Sequence, residues 1–159
     1  MWEVRDLENI QDNHDKRLAK SLKVRLRFDY RGEKNGGLFS RKPSDKVAEE
    51  VRERIAALLR NVPRRGIFIE EIDTNLEIYQ VIEEDTGKDV AFAPLEMVAY
   101  ADSIEDIIGF IMRPEFRRIE VLYPDNITLS DKVLERLLYR VNEEFGSFTR
   151  ALEKRLNSR

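Results

Sequence analysis

The sequence predicts an α+β domain: a mixed sheet of about five strands, two or three helices packed mainly on one of its faces, and a long C-terminal helix. Three observations carry this prediction. Residues 22–31, LKVRLRFDYR, alternate between apolar and polar without a slip, the period-two pattern of a strand with one buried and one solvated face. Downstream, strand-like and helix-like patterns interleave in the order β, α, β, β, β, α, β, α, which suits helices laid over one sheet. Near the C-terminus, Leu134, Leu138, Val141, Phe145, Phe148 and Leu152 recur at spacings of four and three, the seam of a coiled coil or of a core-facing helix.

Residues 1–21 are polar and weakly periodic, and read as an N-terminal arm or frayed helix carrying the single histidine, His14. Residues 22–159 are expected to form a single α+β domain. In the first strand Leu22, Val24, Leu26, Phe28 and Tyr30 share one face, and Lys23, Arg25, Arg27, Asp29 and Arg31 the other. Burying the apolar five stabilises the fold by roughly 1.5–3 kcal/mol each. Residues 32–43 hold three glycines and a proline, so they form a loop. Ser44 is placed to cap the next helix, with Asp45 at its positive end. Val47, Val51, Ile55, Leu58 and Leu59 line one side of that helix to about Arg60.

Two short strands follow around Asp73-Thr74-Asn75, and Asp85–Asp89 reads as a hairpin turn. Val90–Ala101 is apolar and extended, with Pro94 breaking it or marking it as an edge. The first strand, the helix and strand 67–72 read as a βαβ unit. Ser103 and Asp106 form a capping box for a short helix that Arg113-Pro114 ends. Ile119, Val121 and Tyr123 alternate as a last strand, and Thr128 or Ser130 caps the terminal helix. If unbroken over 129–156, that helix runs about 42 Å at 1.5 Å per residue, slightly beyond a domain diameter of about 39 Å. It then either meets a partner, a second copy included, through Phe148, Leu152 and Leu156, or breaks at Gly146-Ser147.

Charge is sorted along the chain. Residues 1–65 hold 17 basic and 11 acidic residues, residues 66–112 one basic and 12 acidic, and residues 113–159 ten basic and eight acidic. The near-neutral total of −3 thus hides a strong polarity, which governs what the surface attracts. Lys23, Arg25 and Arg27 project from one strand face at about 7 Å intervals, close to the separation of phosphates along an extended nucleic-acid strand. Arg31, Lys34, Arg41 and Lys42 carry the positive field into the glycine-rich loop. The competing reading pairs these cations with Glu70, Glu77 or Glu83 on neighbouring strands. Phe28 and Tyr30 lie on the apolar face, so no aromatic platform interleaves with the arginines, and Phe39 in the loop is the one exposed aromatic candidate.

Several function classes lose support. With no cysteine, disulfides, thiolate metal sites and cysteine nucleophiles drop out. The acids Glu70, Glu71, Asp73, Glu83, Glu84, Asp85 and Asp89 lack the spacing of a calcium loop. No phosphate-binding glycine motif, nucleophile elbow or zinc-protease motif is present. No catalytic residue, metal site or cofactor is indicated. The N-terminus lacks a basic-then-apolar leader and no apolar run approaches about 20 residues, so a cytoplasmic protein without a membrane span is expected. The leading functional reading is a small non-enzymatic protein-interaction domain, adaptor or regulatory, that binds a protein partner or itself as a homodimer. The alternative is an RNA- or phosphate-ligand-binding module using the basic face of strand 22–31 and loop 32–43.

Overall fold

The computed structural model describes residues 21–32 and 42–157, except the side chain of Arg155. The expected N-terminal arm with His14, and the loop positions Lys34, Phe39 and Arg41, lie outside the described residues. The elements are β1 (Leu22–Gly32), α1 (Ser44–Asn61), β2 (Ile67–Asp73), β3 (Tyr79–Ile82), β4 (Asp89–Ala101), α2 (Ile104–Ile111), β5 (Phe116–Tyr123) and α3 (Asp131–Asn157).

The strands form one five-stranded sheet around β4. β1 pairs with β4 over its whole length, from Leu22 opposite Ala101 to Gly32 opposite Ala91. β5 lies on the other side of β1. Along the remaining side of β4, β2 and β3 lie end to end: β2 pairs with residues 96–101, β3 with residues 89–92. A mixture of strand directions was expected, yet every ladder is antiparallel. β1 and β2 do run parallel, since both oppose β4, but β4 lies between them. The βαβ unit read from the sequence is therefore a split one.

The expectation for Pro94 needs correction: it neither breaks β4 nor puts it at an edge. Pro94 faces Asp29 of β1, and the Asp29 N–H turns away to donate to Glu115 O at 2.8 Å. The pair is thus a non-hydrogen-bonded one, and the missing N–H of Pro94 points to the other side. There β2 and β3 leave residues 93–95 without a strand neighbour, so a proline removes no ladder bond.

The core lies on one face. Val24, Leu26, Phe28 and Tyr30 of β1 and Leu95, Met97, Ala99 and Ala101 of β4 meet Ala56 and Leu59 of α1 and Ile107 and Phe110 of α2. Phe28 packs edge-on against Phe110 and Phe116, with ring centroids 5.8 and 5.9 Å apart. Ser44 does not cap α1: it is the first helical residue, buried, with Pro43 in the cap position. A side chain at Gly32 would strike the Ser44 carbonyl and the Ala48 backbone nitrogen, so glycine is what lets α1 begin against the end of β1.

Ser103 caps α2, its Oγ accepting from the Asp106 N–H at 3.2 Å. Ser130, rather than Thr128, caps α3, accepting from the Val133 N–H at 3.3 Å. α3 runs unbroken through Gly146-Ser147, so the break permitted by those two residues does not occur. No helix among the described residues is long and apolar enough to cross a membrane.

Candidate interaction surface

The face that α3 turns to its own domain is not its apolar stripe. Val133, Leu137, Arg140 and Glu144, one helical row, are the partly buried positions in its first half. This row packs on α2: a side chain at Gly109 would meet Arg140 Nη2 at 2.5 Å, and Arg136 Nε donates to Glu105 Oε1 at 3.1 Å. Arg140 Nη2 also pairs with Glu144 Oε1 at 2.6 Å. That bond with Arg136, together with backbone and Ser103 hydrogen bonds, holds the Glu105 carboxyl below the usual range, the backbone bond contributing most.

The stripe of 4-3 spacing lies one residue further round and is exposed along its whole length. Leu134, Leu138, Val141, Phe145, Phe148, Leu152 and Leu156 are all open, with Leu138 and Phe145 each 62% and Leu156 72% accessible. From Arg150 onward every described side chain of α3 is exposed. Single exposed leucines are ordinary, whereas a contiguous apolar patch marks a contact site. Of the positions singled out as partner contacts, Phe148, Leu152 and Leu156 thus sit together on one open ridge. Leu134, Leu138, Val141 and Phe145 extend the ridge toward the domain.

The basic row of β1 stands on the sheet face opposite the helices, and each of its cations has a carboxylate beside it. Lys23 Nζ lies 2.8 Å from Glu70 Oε2, Arg25 Nη1 2.8 Å from Glu120 Oε2, Arg27 Nε 3.0 Å from Asp29 Oδ1, and Arg31 Nη2 2.6 Å from Glu83 Oε1. Lys42 pairs with Glu50 at 2.7 Å. Glu70 and Glu83 are among the acids the sequence reading named as partners; Glu120 and Asp29 are not. The Lys23 bond holds the Glu70 carboxyl below its ordinary value, and Glu70 in turn raises the Lys23 ammonium. Apart from Arg27–Asp29, whose carboxylate is buried, these are surface pairs, and such pairs stabilise a fold little.

Aromatic side chains do flank this row, on strands other than β1. Tyr100 and Tyr123 oppose Lys23, and Phe92 opposes Arg31. Lys23 Nζ sits 5.0 Å from the Tyr100 ring centre. Sequence reasoning missed them because they come from β4 and β5, whose register no local pattern gives.

Two buried charges were also missed. Asp29, on the face expected to be wet, is only 4% exposed. Its carboxylate accepts from Arg27 Nε and from the Tyr79 hydroxyl at 2.6 Å, with Arg117 Nε 3.4 Å away. Arg52, on the inner side of α1, donates to Leu76 O at 2.9 Å and Pro94 O at 3.3 Å. The acidic residues 70–89 do not converge: among the described residues no group of three or more His, Cys, Asp or Glu side chains is placed to hold a metal ion. A hollow of about 360 Å³ is an open groove between the end of α1 and β2, lined by Leu59, Val62, Arg64, Phe68 and Glu70 among others. Comparison with known proteins finds no matching family model, no matching curated protein and no matching solved structure.

Proposed function

We propose that this chain is a non-enzymatic protein-interaction domain that associates with itself, and that the apolar ridge of α3 is its contact element. The observation that carries the reading is the open 4-3 stripe from Leu134 to Leu156 on a helix whose other face is already engaged by α2. Leaving seven large apolar side chains in water forgoes roughly 25 cal/mol for every Å² that a partner would cover. α2 holds the first half of α3 in place, so little ordering cost falls on association.

The basic β1 face supports the RNA- or phosphate-binding alternative less well. Four carboxylates within 3.0 Å of its four cations neutralise much of the field that would attract phosphates.

The test is the solution mass of the full-length chain by light scattering, beside Leu138→Lys and Leu152→Lys variants. The reading predicts a dimer of the 18.8 kDa chain that both variants convert to monomer with unchanged circular dichroism. Salt-sensitive RNA binding that Arg25→Glu abolishes, in a chain that stays monomeric, would favour the alternative instead.

A further inference from the structure

We infer that two copies pair through α3 antiparallel, about a two-fold axis passing at Phe145, each copy's outer half covering the inner half of the other. This rests on the reading that the α3 ridge is a self-association surface, and adds its geometry.

A two-fold interface uses the same patch on both copies, so the patch must match itself when reversed. The ridge does. Leu134 and Leu156 stand eleven residues to either side of Phe145, Leu138 and Leu152 seven to either side, and Val141 and Phe148 four before and three after. Reversal about Phe145 therefore lays leucine on leucine at both ends, Val141 on Phe148 between them, and Phe145 on its own copy at the axis.

Charge selects the antiparallel arrangement over the parallel one. Residues 131–144 carry four acids and three bases, a balance of −1; residues 146–157 carry one acid and three bases, a balance of +2. Antiparallel pairing sets the negative half against the positive half twice, whereas parallel pairing stacks the two positive halves. Glu144, the acid nearest the axis, is already neutralised by Arg140 at 2.6 Å.

Sterics agree. The inner half of α3 is braced on α2, and the outer half, from Arg150, has no neighbour burying it among the described residues. Antiparallel pairing places the two sheets at opposite ends of a helix pair about 40 Å long, 27 residues at 1.5 Å each. Parallel pairing would crowd both sheets at one end and leave the two outer halves to support only each other.

The chain has no cysteine, so single cysteines at exposed ridge positions report the geometry directly. Full-length Leu138→Cys and Leu152→Cys are oxidised mildly, separately and as an equimolar mixture combined at high dilution and then concentrated, with mass measured in parallel under reducing conditions. The antiparallel pair predicts disulfide dimer in the mixture, at least fivefold more than in either variant alone. Equal cross-linking of each variant with itself would overturn the antiparallel geometry while leaving self-association standing. A dimer by mass with cross-links in no sample would place the contact off the ridge and overturn both. Monomeric mass for the wild-type chain and both variants would overturn self-association, and the geometry with it.

Discussion

The Arg52 guanidinium donates to the Pro94 carbonyl in the gap where β4 has neither β2 nor β3 beside it. The same nitrogen reaches Leu76 O in the connection between those strands. One side chain from α1 thereby supplies the hydrogen bond to the Pro94 carbonyl that a continuous edge strand would otherwise supply. It also ties the helix to the β2–β3 connection.

Replacing Arg52 by Met keeps most of the buried stem and removes the donors. Two carbonyls then lose their partner, at roughly 1–3 kcal/mol each when desolvated. The expected loss is about 2–4 kcal/mol in urea unfolding. A loss below about 0.5 kcal/mol would mean that water replaces the guanidinium in the gap.

Charges on the outer sheet face divide by burial. Asp29 is buried and accepts from two side chains, with Arg117 close by, so Asp29→Ala leaves those donors unmatched and costs about 2–4 kcal/mol. Arg25 and Glu120 are both well exposed at 2.8 Å, so Glu120→Gln costs under about 1 kcal/mol. Equal costs at the two sites, measured by the same urea titration, would contradict this division.

The Tyr30 hydroxyl is buried without a hydrogen-bond partner among the described residues, and burial pushes its ionisation up to about 12. In the unfolded chain it ionises near pH ~10. Between those values the folded chain retains a proton that the unfolded chain has lost, so this group lowers stability as pH rises from about 10 to about 12 and has no effect below. Tyr30→Phe removes that slope. At neutral pH it leaves stability unchanged or raises it by about 1 kcal/mol, because a desolvated hydroxyl goes and no bond is lost. Unfolding of both proteins at pH 7 and pH 11 checks it; a destabilised Tyr30→Phe at pH 7 would show that the hydroxyl is bonded.

Elements with a strong local period were legible in the sequence. β1 follows from ten alternating residues, α2 from Ser103 and Asp106, the β3–β4 turn from Asp85–Asp89 with Gly87 at φ 64°, and α3 from its 4-3 stripe. What depends on strand order was not legible. Pro94 reads as a strand breaker until β2 and β3 are known to leave a gap beside it. Asp29 reads as solvated until Tyr79, fifty residues on, is brought over it. The cations of β1 were visible in the sequence, but two of their four carboxylate partners, Glu120 and Asp29, were not, because their pairing depends on the β1–β5 register and on a contact along β1 itself. The α3 ridge was legible as apolar, and only the packing of the neighbouring Val133–Glu144 row on α2 distinguishes an open ridge from a core-facing one.

A further consequence of the ridge concerns stability. If association buries it, the thermal midpoint of the wild-type chain rises with protein concentration, since a partner that binds only the folded state stabilises by mass action. Phe145→Glu is expected to melt at a midpoint independent of concentration. Concentration-independent melting of the wild-type chain from micromolar to hundreds of micromolar would contradict coupled association.

Sedimentation equilibrium of the full-length chain over a hundredfold dilution series tests the central claim most directly. The account predicts a species of twice the 18.8 kDa chain mass that dissociates on dilution and is lost in Phe145→Glu. A wild-type chain that stays at 18.8 kDa at every concentration, with Phe145→Glu indistinguishable from it, would contradict the claim.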